Sequence, residues 1–404
     1  MAATVRILVS VAEQSADEHA AAMIGQFAKL YPQAEFTGLA GPALRQAGCG
    51  CIHDMTARSA MALAAFRRIP EGWAVLRRLK ALLASEQFDA AVVVDSPALN
   101  LPVARLCRRA GLPVLYYIAP QTWAWGPRGW RNRRVKRSVD RLACIWPFEE
   151  EYFRRAGIRA DYVGHPSFDH LIAEPVDQAA ALKLKSDATP LIALLPGSRR
   201  HVIEEVLPGQ LAVAAALHTR YPRAAFMVVA AHEELLASID AAVESLGRAL
   251  PLRILCGPAD RAAAIVAADL ALVASGTVTL EVAYRATPML VMYNTNRWTY
   301  RLVGRWLIST PHLSIPNILA GRRIVPEFMP YYRSVDPIIA AAVEWLSTPG
   351  KLARIRQDLE DVVRPIAKAG AAARVAGILA EMLVERGVIE PAAPAARPGK
   401  GGPR

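Results

Sequence analysis

The sequence predicts an α/β protein built from two doubly wound parallel sheets with helices on both faces. Short apolar runs rich in β-branched residues alternate with segments of helical periodicity, which is typical of parallel sheets. This alternation stops at residues 174–190, a polar stretch flanked by proline that we interpret as a linker, and then begins again. At 404 residues the chain is longer than one hydrophobic core usually supports, so two domains are expected.

The individual elements follow from the same pattern. In the first half, strands are predicted at Val5–Val11, Ala90–Val94 and Val114–Ile118, and a helix at Glu71–Ser85. The predicted strands of the second half are Leu191–Leu195, Ala225–Ala230, Leu252–Cys256, Leu270–Ala274 and Met289–Tyr293. Residues 337–385 have helical periodicity, and the Ala-, Pro-, Gly- and Arg-rich end predicts a disordered tail. We therefore place one domain at 1–175, a second at 188–362, a last helix at 363–388 and the tail at 389–404.

Composition and charge exclude several classes of protein. With 53% hydrophobic and 21% charged residues, the chain resembles a folded enzyme rather than a disordered protein. Five cysteines without a metal-binding spacing favour a reducing, cytoplasmic compartment. No leader precedes the first strand and no apolar run is long enough to span a bilayer, so any membrane contact is expected to be peripheral. The net charge of +12 predicts an anionic partner: nucleic acid, anionic lipid or a phosphorylated substrate.

Two glycine-containing loops, each between a predicted strand and a predicted helix, are the most informative feature of the chain. They are Leu195-Pro196-Gly197-Ser198-Arg199 and Ser275-Gly276-Thr277-Val278-Thr279-Leu280-Glu281. Free N–H groups and the helix dipole attract phosphate at such junctions, and glycine lets the backbone approach an anion closely. Arg199 adds a planar cation that suits phosphate oxygens. Two such loops predict a ligand with a diphosphate, such as a nucleotide-sugar.

A carboxylate follows one predicted strand of the first half. Asp95 comes directly after Ala90–Val94 and begins the segment Asp95-Ser96-Pro97-Ala98-Leu99-Asn100. At the carboxyl end of a parallel strand, this side chain could act as a general base. Its alternative role is that of a turn or helix-capping residue.

The loop after the first strand is a second candidate site. Glu13, Ser15 and Asp17 lie there, where many α/β proteins bind a ligand. The alternative is structural, because Ser15 and Glu18 have the spacing of a capping box.

Three further polar residues could contact a ligand. His165, in Gly164-His165-Pro166, could orient a phosphate or a sugar hydroxyl, although a lone histidine is more often structural. Glu281 and Asn317 could hold a ribose or a sugar, and helix capping explains both nearly as well.

A basic stretch rich in aromatic residues follows Pro120. Trp123 and Trp125 precede six cationic residues: Arg128, Arg131, Arg133, Arg134, Lys136 and Arg137. The apolar run at residues 61–66 is likewise followed by two arginines. Both segments suit an anionic lipid surface, and the first also suits nucleic acid. The alternatives are a solvated helix face with packed tryptophans and a buried helix end.

Taken in order, these motifs resemble those of the lipid-A-disaccharide synthase family of GT-B glycosyltransferases. The matching segments run from residue 5 to about residue 330. They are Glu13-Gln14-Ser15-Ala16-Asp17, Asp95-Ser96-Pro97 with Asn100, Pro120 with Trp123-Ala124-Trp125, Pro147-Phe148-Glu149, Gly164-His165-Pro166, Leu195–Arg199, Ser275–Glu281, and Ser314–Asn317 with Pro326-Glu327. One such motif would be a weak signal, whereas the ordered set is specific.

The resemblance implies an inverting transfer of 2,3-diacylglucosamine from UDP to the 6-hydroxyl of 2,3-diacylglucosamine 1-phosphate (lipid X). The products are a β-1,6-linked lipid A disaccharide 1-phosphate and UDP. By the family pattern, Asp95 is the base and Arg199 stabilises the departing UDP. The same pattern assigns UDP-sugar contacts to Gly197, Ser198, Ser275, Gly276, Thr277, Glu281, Asn317 and His165, and acceptor contacts to Glu13, Ser15, Asp17 and Asn100. It implies no metal and no cofactor, and the sequence has no Asp-x-Asp pair.

The resemblance also implies an architecture and partners. The two domains of a GT-B enzyme face a cleft, and a last helix, here within Ala367–Glu385, returns to the N-terminal domain. Because both substrates are acylated, we expect a cytoplasmic protein bound peripherally to the anionic inner membrane, with a homodimer as the expected assembly and no nucleic acid as a partner. Two alternatives stay open: another GT-B enzyme such as a UDP-N-acetylglucosamine 2-epimerase, and a catalytically silent homologue that binds lipid or nucleotide.

The chain departs from the family pattern at several positions. Ala12, Ala16 and Ala40 stand where the family has glycine, Val202 replaces a glutamate and Pro330 replaces a glutamine. If any of the three alanines occupied a position that needs a positive φ, the loop around it would bend differently. Acceptor binding near Glu13 is the function that such a change would affect.

Overall fold

The chain folds into two units, each organised around its own parallel sheet. The computed structural model describes residues 4–56, 69–124, 126–185, 188–294 and 310–391. Within these, the first unit comprises residues 4–123, 127–169 and 368–391, and the second comprises residues 170–367 together with 124 and 126. The predicted fold class is confirmed, while the domain limits 1–175, 188–362 and 363–388 stay predictions.

Seven parallel strands form the sheet of the first unit. They are β1 Val5–Ser10, β2 Ala34–Leu39, β3 Gly50–His53, β4 Ala90–Val94, β5 Val114–Tyr117, β6 Arg141–Cys144 and β7 Ala160–Tyr162. Their order is β3-β2-β1-β4-β5-β6-β7. Every residue of β4 and β5 is buried, as expected where a parallel sheet is covered on both faces. The order reverses between β1 and β4, so the loops that leave these two strands diverge and open a space for a ligand.

Helices of the first unit alternate with these strands. They are α1 Gln14–Leu30, α2 Pro42–Gln46, α3 Ile69–Ser85, α4 Pro97–Arg109, α5 Arg128–Lys136, α6 Pro147–Arg155 and α7 Ser167–Ala173, the last of which spans the change of unit after Asp169. In α1 the buried side chains Ala16, Ala20, Met23, Ile24 and Phe27 recur at helical spacing. This apolar stripe is the face that packs inward, and it determines how α1 lies in the unit.

The sheet of the second unit has six parallel strands. They are β8 Leu191–Leu195, β9 Ala225–Ala230, β10 Leu252–Cys256, β11 Leu270–Ala274, β12 Met289–Met292 and β13 Glu327–Phe328. Their order is β10-β9-β8-β11-β12-β13. The five predicted strands of this half are confirmed, with β12 ending one residue earlier than predicted. The switch in strand order falls between β8 and β11, so the two glycine loops leave neighbouring strands.

In the described part of the chain, eight α-helices connect the strands of this sheet or flank them in sequence. They are α8 Gln178–Lys185, α9 Arg200–Arg220, α10 Leu236–Ser245, α11 Pro258–Ala267, α12 Val278–Tyr284, α13 Ile315–Ala320, α14 Asp336–Ser347 and α15 Lys351–Val363. A 3₁₀ turn at Glu233–Leu235 precedes α10.

The linker predicted at residues 174–190 is wrong in its central part, because α8 forms there. The Asp177 carboxylate accepts N–H bonds from Ala179 at 2.9 Å and Ala180 at 3.0 Å, which caps the start of the helix. Ala181 is buried, and α8 packs on α11. Alanine, leucine and lysine all favour helix, so a polar composition does not by itself indicate a linker.

The C-terminal helix α16, Ala371–Glu385, belongs to the first unit and packs against α1. At its start, the backbone N–H of Gly370 donates to Asp169 Oδ1 at 2.5 Å. Along its length, Glu381 accepts a hydrogen bond from the buried Arg141 at 2.6 Å. The prediction that the last helix packs on the N-terminal half is therefore confirmed. The helical periodicity predicted for residues 337–385 corresponds to three helices, α14, α15 and α16, with breaks at 348–350 and 364–370. Residues 392–404 of the predicted tail lie outside the described residues.

The contact between α16 and the rest of the first unit should contribute substantially to stability. Leu379 is fully buried, so Leu379→Ala should lower the free energy of unfolding by about 2–5 kcal/mol through lost burial and the cavity left behind. Leu182→Ala is the matched control, because Leu182 in α8 is 71% exposed and the same truncation there should have little effect. Urea unfolding of both variants measures the difference. Equal losses of stability would mean that α16 packs only loosely.

Candidate active site

Two loops of the first unit meet where its strand order reverses. The loop after β1 carries Glu13 and the loop after β4 carries Asp95, and the two strands are direct neighbours. The Ser96 hydroxyl donates a hydrogen bond to Glu13 Oε1 at 3.4 Å, which joins the loops. Both predicted acidic residues therefore lie at one edge of the sheet, at the place where doubly wound sheets bind their ligands.

The backbone of Asp95 and Ser96 is the most constrained part of this edge. Both residues adopt left-handed conformations, with φ of +52° and +44°, which costs a residue other than glycine about 1–3 kcal/mol. The Asp95 carbonyl accepts hydrogen bonds from the Tyr116 hydroxyl at 2.6 Å and from Asn100 Nδ2 at 2.8 Å. The Asp95 N–H donates to the Tyr117 carbonyl at 3.0 Å. These bonds hold the backbone of the half-buried Asp95 in place at the end of β4.

The Tyr116 hydroxyl is suited to a permanent donor role. Burial raises the pKa of Tyr116 well above its usual value, and the charge of Asp95 raises it further. The hydroxyl therefore stays protonated and continues to donate to the Asp95 carbonyl.

Asn100 lies inside the protein. Its side chain is fully buried, Nδ2 donates to the carbonyls of Val94 and Asp95, and Oδ1 accepts from the Ser10 hydroxyl at 2.7 Å. Ser10 ends β1, so this bond ties β1 to the first turn of α4, which follows the Asp95 loop. Asn100 thus connects the two strands at the switch point, and its amide holds the Asp95 loop.

Asp17 is also engaged inside the fold. It is 1% exposed and accepts N–H bonds from Gly41 at 2.8 Å and Ala43 at 2.7 Å, which caps α2. A Cβ on Gly41 would come within 2.7 Å of both the Asp17 carboxylate and Thr56 Oγ1, so this position requires glycine. Ser15, by contrast, is exposed in the first turn of α1.

The three alanines that depart from the family pattern do not strain the first loop. Among the described residues other than glycine, positive φ occurs only at Asp95, Ser96, Ile118 and Ala286. Ala12, Ala16 and Ala40 therefore have backbone conformations that alanine adopts without cost. The loop that carries Glu13 forms without the glycines.

The second candidate region lies at the ends of β8 and β11. Gly197 has φ of +108°, and a Cβ there would come within 2.8 Å of Val202 Cγ1. Val202 is buried, so the residue that replaces the family's glutamate packs beneath the loop. Gly276 has φ of +148°, and Gly276 and Thr277 are exposed. Both loops present backbone at neighbouring strand ends in conformations that only glycine adopts easily.

Arg199 precedes the long helix α9 at the end of the first glycine loop. Its backbone is extended, its side chain is exposed, and its carbonyl accepts the N–H bonds of Val202 and Ile203. Burial raises the pKa of Tyr293, the Glu205 charge adds to the rise, and the positive charge of Arg199 opposes it. Arg199 and Tyr293, which follows β12, therefore lie at the same edge of this sheet.

Glu281 and Asn317 are both held by neighbours. Glu281 is 8% exposed, and its carboxylate accepts a hydrogen bond from Arg261 Nε at 2.8 Å. Arg285 Nε, directly after the end of the same helix, lies 3.6 Å from Glu281 Oε1. Asn317 is fully buried: its amide donates to the Val325 carbonyl and to Glu327 Oε1, each at 2.8 Å.

Glu327 has a structural role that the sequence analysis did not identify. Its carboxylate accepts from the Leu313 N–H, the Ser314 N–H and hydroxyl, and the Asn317 amide. It thereby fixes the start of α13 and links that helix to β13. The only indication of Glu327 in the sequence analysis was its place in the segment Pro326-Glu327.

Glu149 is the second residue whose role sequence reasoning missed. It is completely buried and accepts from Trp123 Nε1 at 2.9 Å and from the N–H groups of Ile145 and Trp146. Burial raises the pKa of Glu149 to about 7, and these three donors oppose the rise. A glutamate three residues after Trp146, behind a proline, has capping-box spacing, which could have indicated this role. Trp125 lies outside the described residues.

His165 is buried beside the same helix. Its ring packs on Trp146, with 4.7 Å between ring centroids, and Nδ1 accepts the Ser167 N–H at 3.2 Å. Burial lowers the pKa of His165 to about 3, and His19 lowers it further, so the ring is neutral. A neutral imidazole can donate or accept a hydrogen bond but supplies no charge.

Two features are absent from the described ranges. In those ranges, no three His, Cys, Asp or Glu side chains are grouped so as to hold a metal ion. No helix within them is both long enough and apolar enough to cross a bilayer.

Comparison with known proteins identifies a family. Residues 7–380 match the family model described as lipid-A-disaccharide synthetase. A lipid-A-disaccharide synthase from Geobacter sulfurreducens is 34% identical over 386 residues, covering 94% of this chain and 97% of the relative. One from Neisseria meningitidis serogroup B is 37% identical over 362 residues, covering 87% and 91%.

Solved structures are similar in fold at low sequence identity. The UDP complex of Staphylococcus aureus MnaA has a TM-score of 0.62 at 12% identity, covering 95% of this chain and 98% of that one. Anabaena HepE, in complex with UDP and glucose, has a TM-score of 0.53 at 13% identity, covering 95% and 100%. These similarities establish a GT-B-like fold.

The first glycine loop should tolerate no side chain. Gly197→Ala combines an unfavourable φ with a contact to Val202, so it should destabilise the protein and weaken UDP binding about tenfold or more, equivalent to 1.4 kcal/mol. Gly247→Ala is the control, because its φ is +69° with open space around the Cβ, and only a conformational cost of about 1 kcal/mol is expected. Urea unfolding and calorimetric titration with UDP measure both effects. Unchanged UDP affinity in Gly197→Ala would remove this loop from the ligand site.

Glu149 should make folding stability depend on pH. Its folded pKa of about 7 exceeds the ordinary value of 4.5, so the folded chain holds a proton that the unfolded chain has released. The stability from this group is complete below pH 4.5 and is lost as the pH rises through about 7. Glu149→Gln cannot titrate, so the wild-type advantage over it should shrink across that window, as measured by urea unfolding. Glu150→Gln serves as the control, and parallel pH profiles for wild type and Glu149→Gln would contradict this prediction.

Proposed function

This chain belongs to the lipid-A-disaccharide synthase family, and we propose that its two switch-point edges divide the reaction between them. The enzyme condenses UDP-2,3-diacylglucosamine with 2,3-diacylglucosamine 1-phosphate and releases UDP, so it is a glycosyltransferase of lipid A biosynthesis. In this proposal the β1–β4 edge activates the acceptor, and the β8–β11 edge holds the diphosphate of the donor.

Asp95 acts as the general base. Its carboxylate takes the proton of the acceptor's 6-hydroxyl as that oxygen attacks the anomeric carbon of the donor sugar. The observation that supports this role is the left-handed backbone of Asp95 and Ser96, held by Tyr116 and Asn100 at a strand end. Strain of this kind persists where the surroundings enforce it, and it sets the position of the Asp95 backbone before substrate binds.

The leaving group is stabilised at the second edge. As the new glycosidic bond forms, the bond from the anomeric carbon to the β-phosphate oxygen breaks, and its electron pair stays on UDP. Arg199 and the N–H groups of the loops Gly197–Ser198 and Ser275–Thr277 neutralise that charge. The exposed glycine backbones at adjacent strand ends support this assignment.

The other predicted contacts separate into two groups by burial. Glu13 and Ser15 reach the surface of the first edge and are proposed to contact the acceptor. Asp17, Asn100, His165, Glu281 and Asn317 are buried, so we propose that they act as positioning residues that hold the loops around the substrates.

Three further proposals concern the setting of the enzyme. Peripheral binding to an anionic membrane, a cytoplasmic location and a homodimer all follow from the acylated substrates or the family pattern. The epimerase alternative has only the shared fold in its favour, at 12–14% identity to solved UDP-N-acetylglucosamine 2-epimerases. The silent-homologue alternative is decided by the assay below.

Replacement of Asp95 should strongly lower turnover and leave UDP binding intact. Asp95→Asn should lower the rate of disaccharide formation from the two substrates in detergent micelles about 10²–10⁴-fold, while UDP affinity is unchanged. Asp89→Asn is the matched control, because Asp89 precedes the opposite end of β4 and bonds the Arg6 N–H at 2.8 Å.

Three outcomes are distinguishable. Loss of turnover in Asp95→Asn alone supports the assignment, and near wild-type turnover in that variant removes Asp95 from the base role. UDP binding by the natural chain without any product would favour the silent homologue.

A further inference from the structure

The first unit contains a groove away from both loops, between α3, α4 and α5. Its volume is about 430 Å³, within the range of small-molecule pockets. The floor is apolar and consists of Leu76 from α3 with Leu101, Pro102 and Leu106 from α4. Pro102 and Leu106 are four residues apart and therefore share one face of α4.

The rim of this groove is strongly cationic. Five exposed basic residues line it: Arg77, Lys80, Arg105, Arg109 and Arg134. Within the described part of the chain, none of the five forms an ion pair, and the described residues that line the groove include no Asp or Glu. Like charges around one concave surface repel each other and concentrate the positive potential there, so the groove favours an anionic ligand.

Two exposed tryptophans accompany the groove. Trp73 lines it and is 64% exposed, and Trp130 is 58% exposed with the Arg134 guanidinium 5.9 Å from its ring centroid. Tryptophan with arginine beside apolar surface is typical of a membrane interface, where the ring and the cation meet the headgroups. A nucleic acid or a free phosphate would satisfy the rim but leave the leucine floor without a partner.

The far end of the groove lies well along α4 from the Asp95 loop. This step rests on the role proposed for Asp95. Arg109 lies twelve residues after Pro97, where α4 begins, which corresponds to about 18 Å along the helix axis. One hexose ring, which separates the acceptor's 6-hydroxyl from its 1-phosphate, is shorter than this distance even after the length of the arginine side chain is subtracted. An acceptor whose 6-hydroxyl lies at Asp95 would therefore keep its 1-phosphate short of Arg109, which leaves that end of the rim to a second lipid.

We propose that this groove binds one anionic phospholipid of the membrane. An acyl chain lies on the leucine floor, and the phosphate diester lies among the arginines of the rim, whose planar forks suit its oxygens. Binding is noncovalent and orients the first unit on the bilayer with the groove facing the headgroups.

The test is binding of the full chain to vesicles. Wild type should sediment with vesicles that contain phosphatidylglycerol far more strongly than with pure phosphatidylcholine vesicles. The double variant Arg105→Gln with Arg109→Gln should lose about tenfold or more of that affinity. The control, Lys29→Gln with Arg386→Gln, removes the same charge from exposed positions of the same unit and should bind as wild type. Equal losses in the two double variants, or no loss in either, would overturn the proposal.

Competition identifies the occupant. The deacylated headgroup glycerophosphoglycerol should displace the lipid poorly, and Leu106→Asn should weaken binding, because the floor holds an acyl chain. Equal displacement by that headgroup would reduce the site to a phosphate site, and stoichiometric displacement by lipid X would make the acceptor the occupant. Either result would overturn the proposal.

Turnover separates this proposal from the proposed mechanism. In detergent micelles, Arg105→Gln with Arg109→Gln should keep wild-type turnover, whereas Asp95→Asn should lose turnover and still bind phosphatidylglycerol vesicles. A loss of micellar turnover in the groove variant would place these arginines in the acceptor site and contradict a separate lipid site.

Discussion

The hydrogen bonds that converge on the Asp95 carbonyl are the constraint on which the first unit's site depends. The left-handed backbone of Asp95 and Ser96 sets where the carboxylate leaves the strand end. That backbone is unfavourable by itself, so the donors Tyr116 and Asn100 must hold it. Asn100 in turn bonds Ser10 at the end of β1, which couples the backbone of the proposed base to the pairing of the two strands at the switch point.

The two sheets have similar strand orders but differ in the groups that lie at their switch points. At the β1–β4 edge, buried side chains fix the position of one carboxylate. At the β8–β11 edge, glycine backbones and an arginine are exposed, and the proposed ligand is a diphosphate. A base that abstracts one proton needs a single orientation, whereas a diphosphate with several equivalent oxygens can be held by many donors. The contrast between the two edges therefore matches the two chemical tasks proposed for them.

Several residues of the sequence motifs form hydrogen bonds to other groups of the protein. Asp17 caps α2, Glu149 binds the Trp123 indole, and Glu327 fixes the start of α13. Short polar side chains satisfy the N–H groups that loops leave unpaired, so the loops around a ligand need such residues as much as the ligand does. Periodicity predicted the strands that flank both sites, because a strand buried on both faces has a continuous apolar signature. It could not distinguish a buried carboxylate from an exposed one in the same loop.

The sequence by itself determined the two-sheet class, the strands next to both sites, the identity of the glycine loops and the family that the motifs resemble. These properties are local, since they depend on residue type and spacing along one segment. The tertiary structure decided which polar residues face outward. It also decided that a helix with the buried residue Ala181 forms where a linker was predicted, and that cations from three helices surround one groove. Such properties depend on contacts between segments distant in sequence, such as Ser10 with Asn100, and no local pattern encodes them.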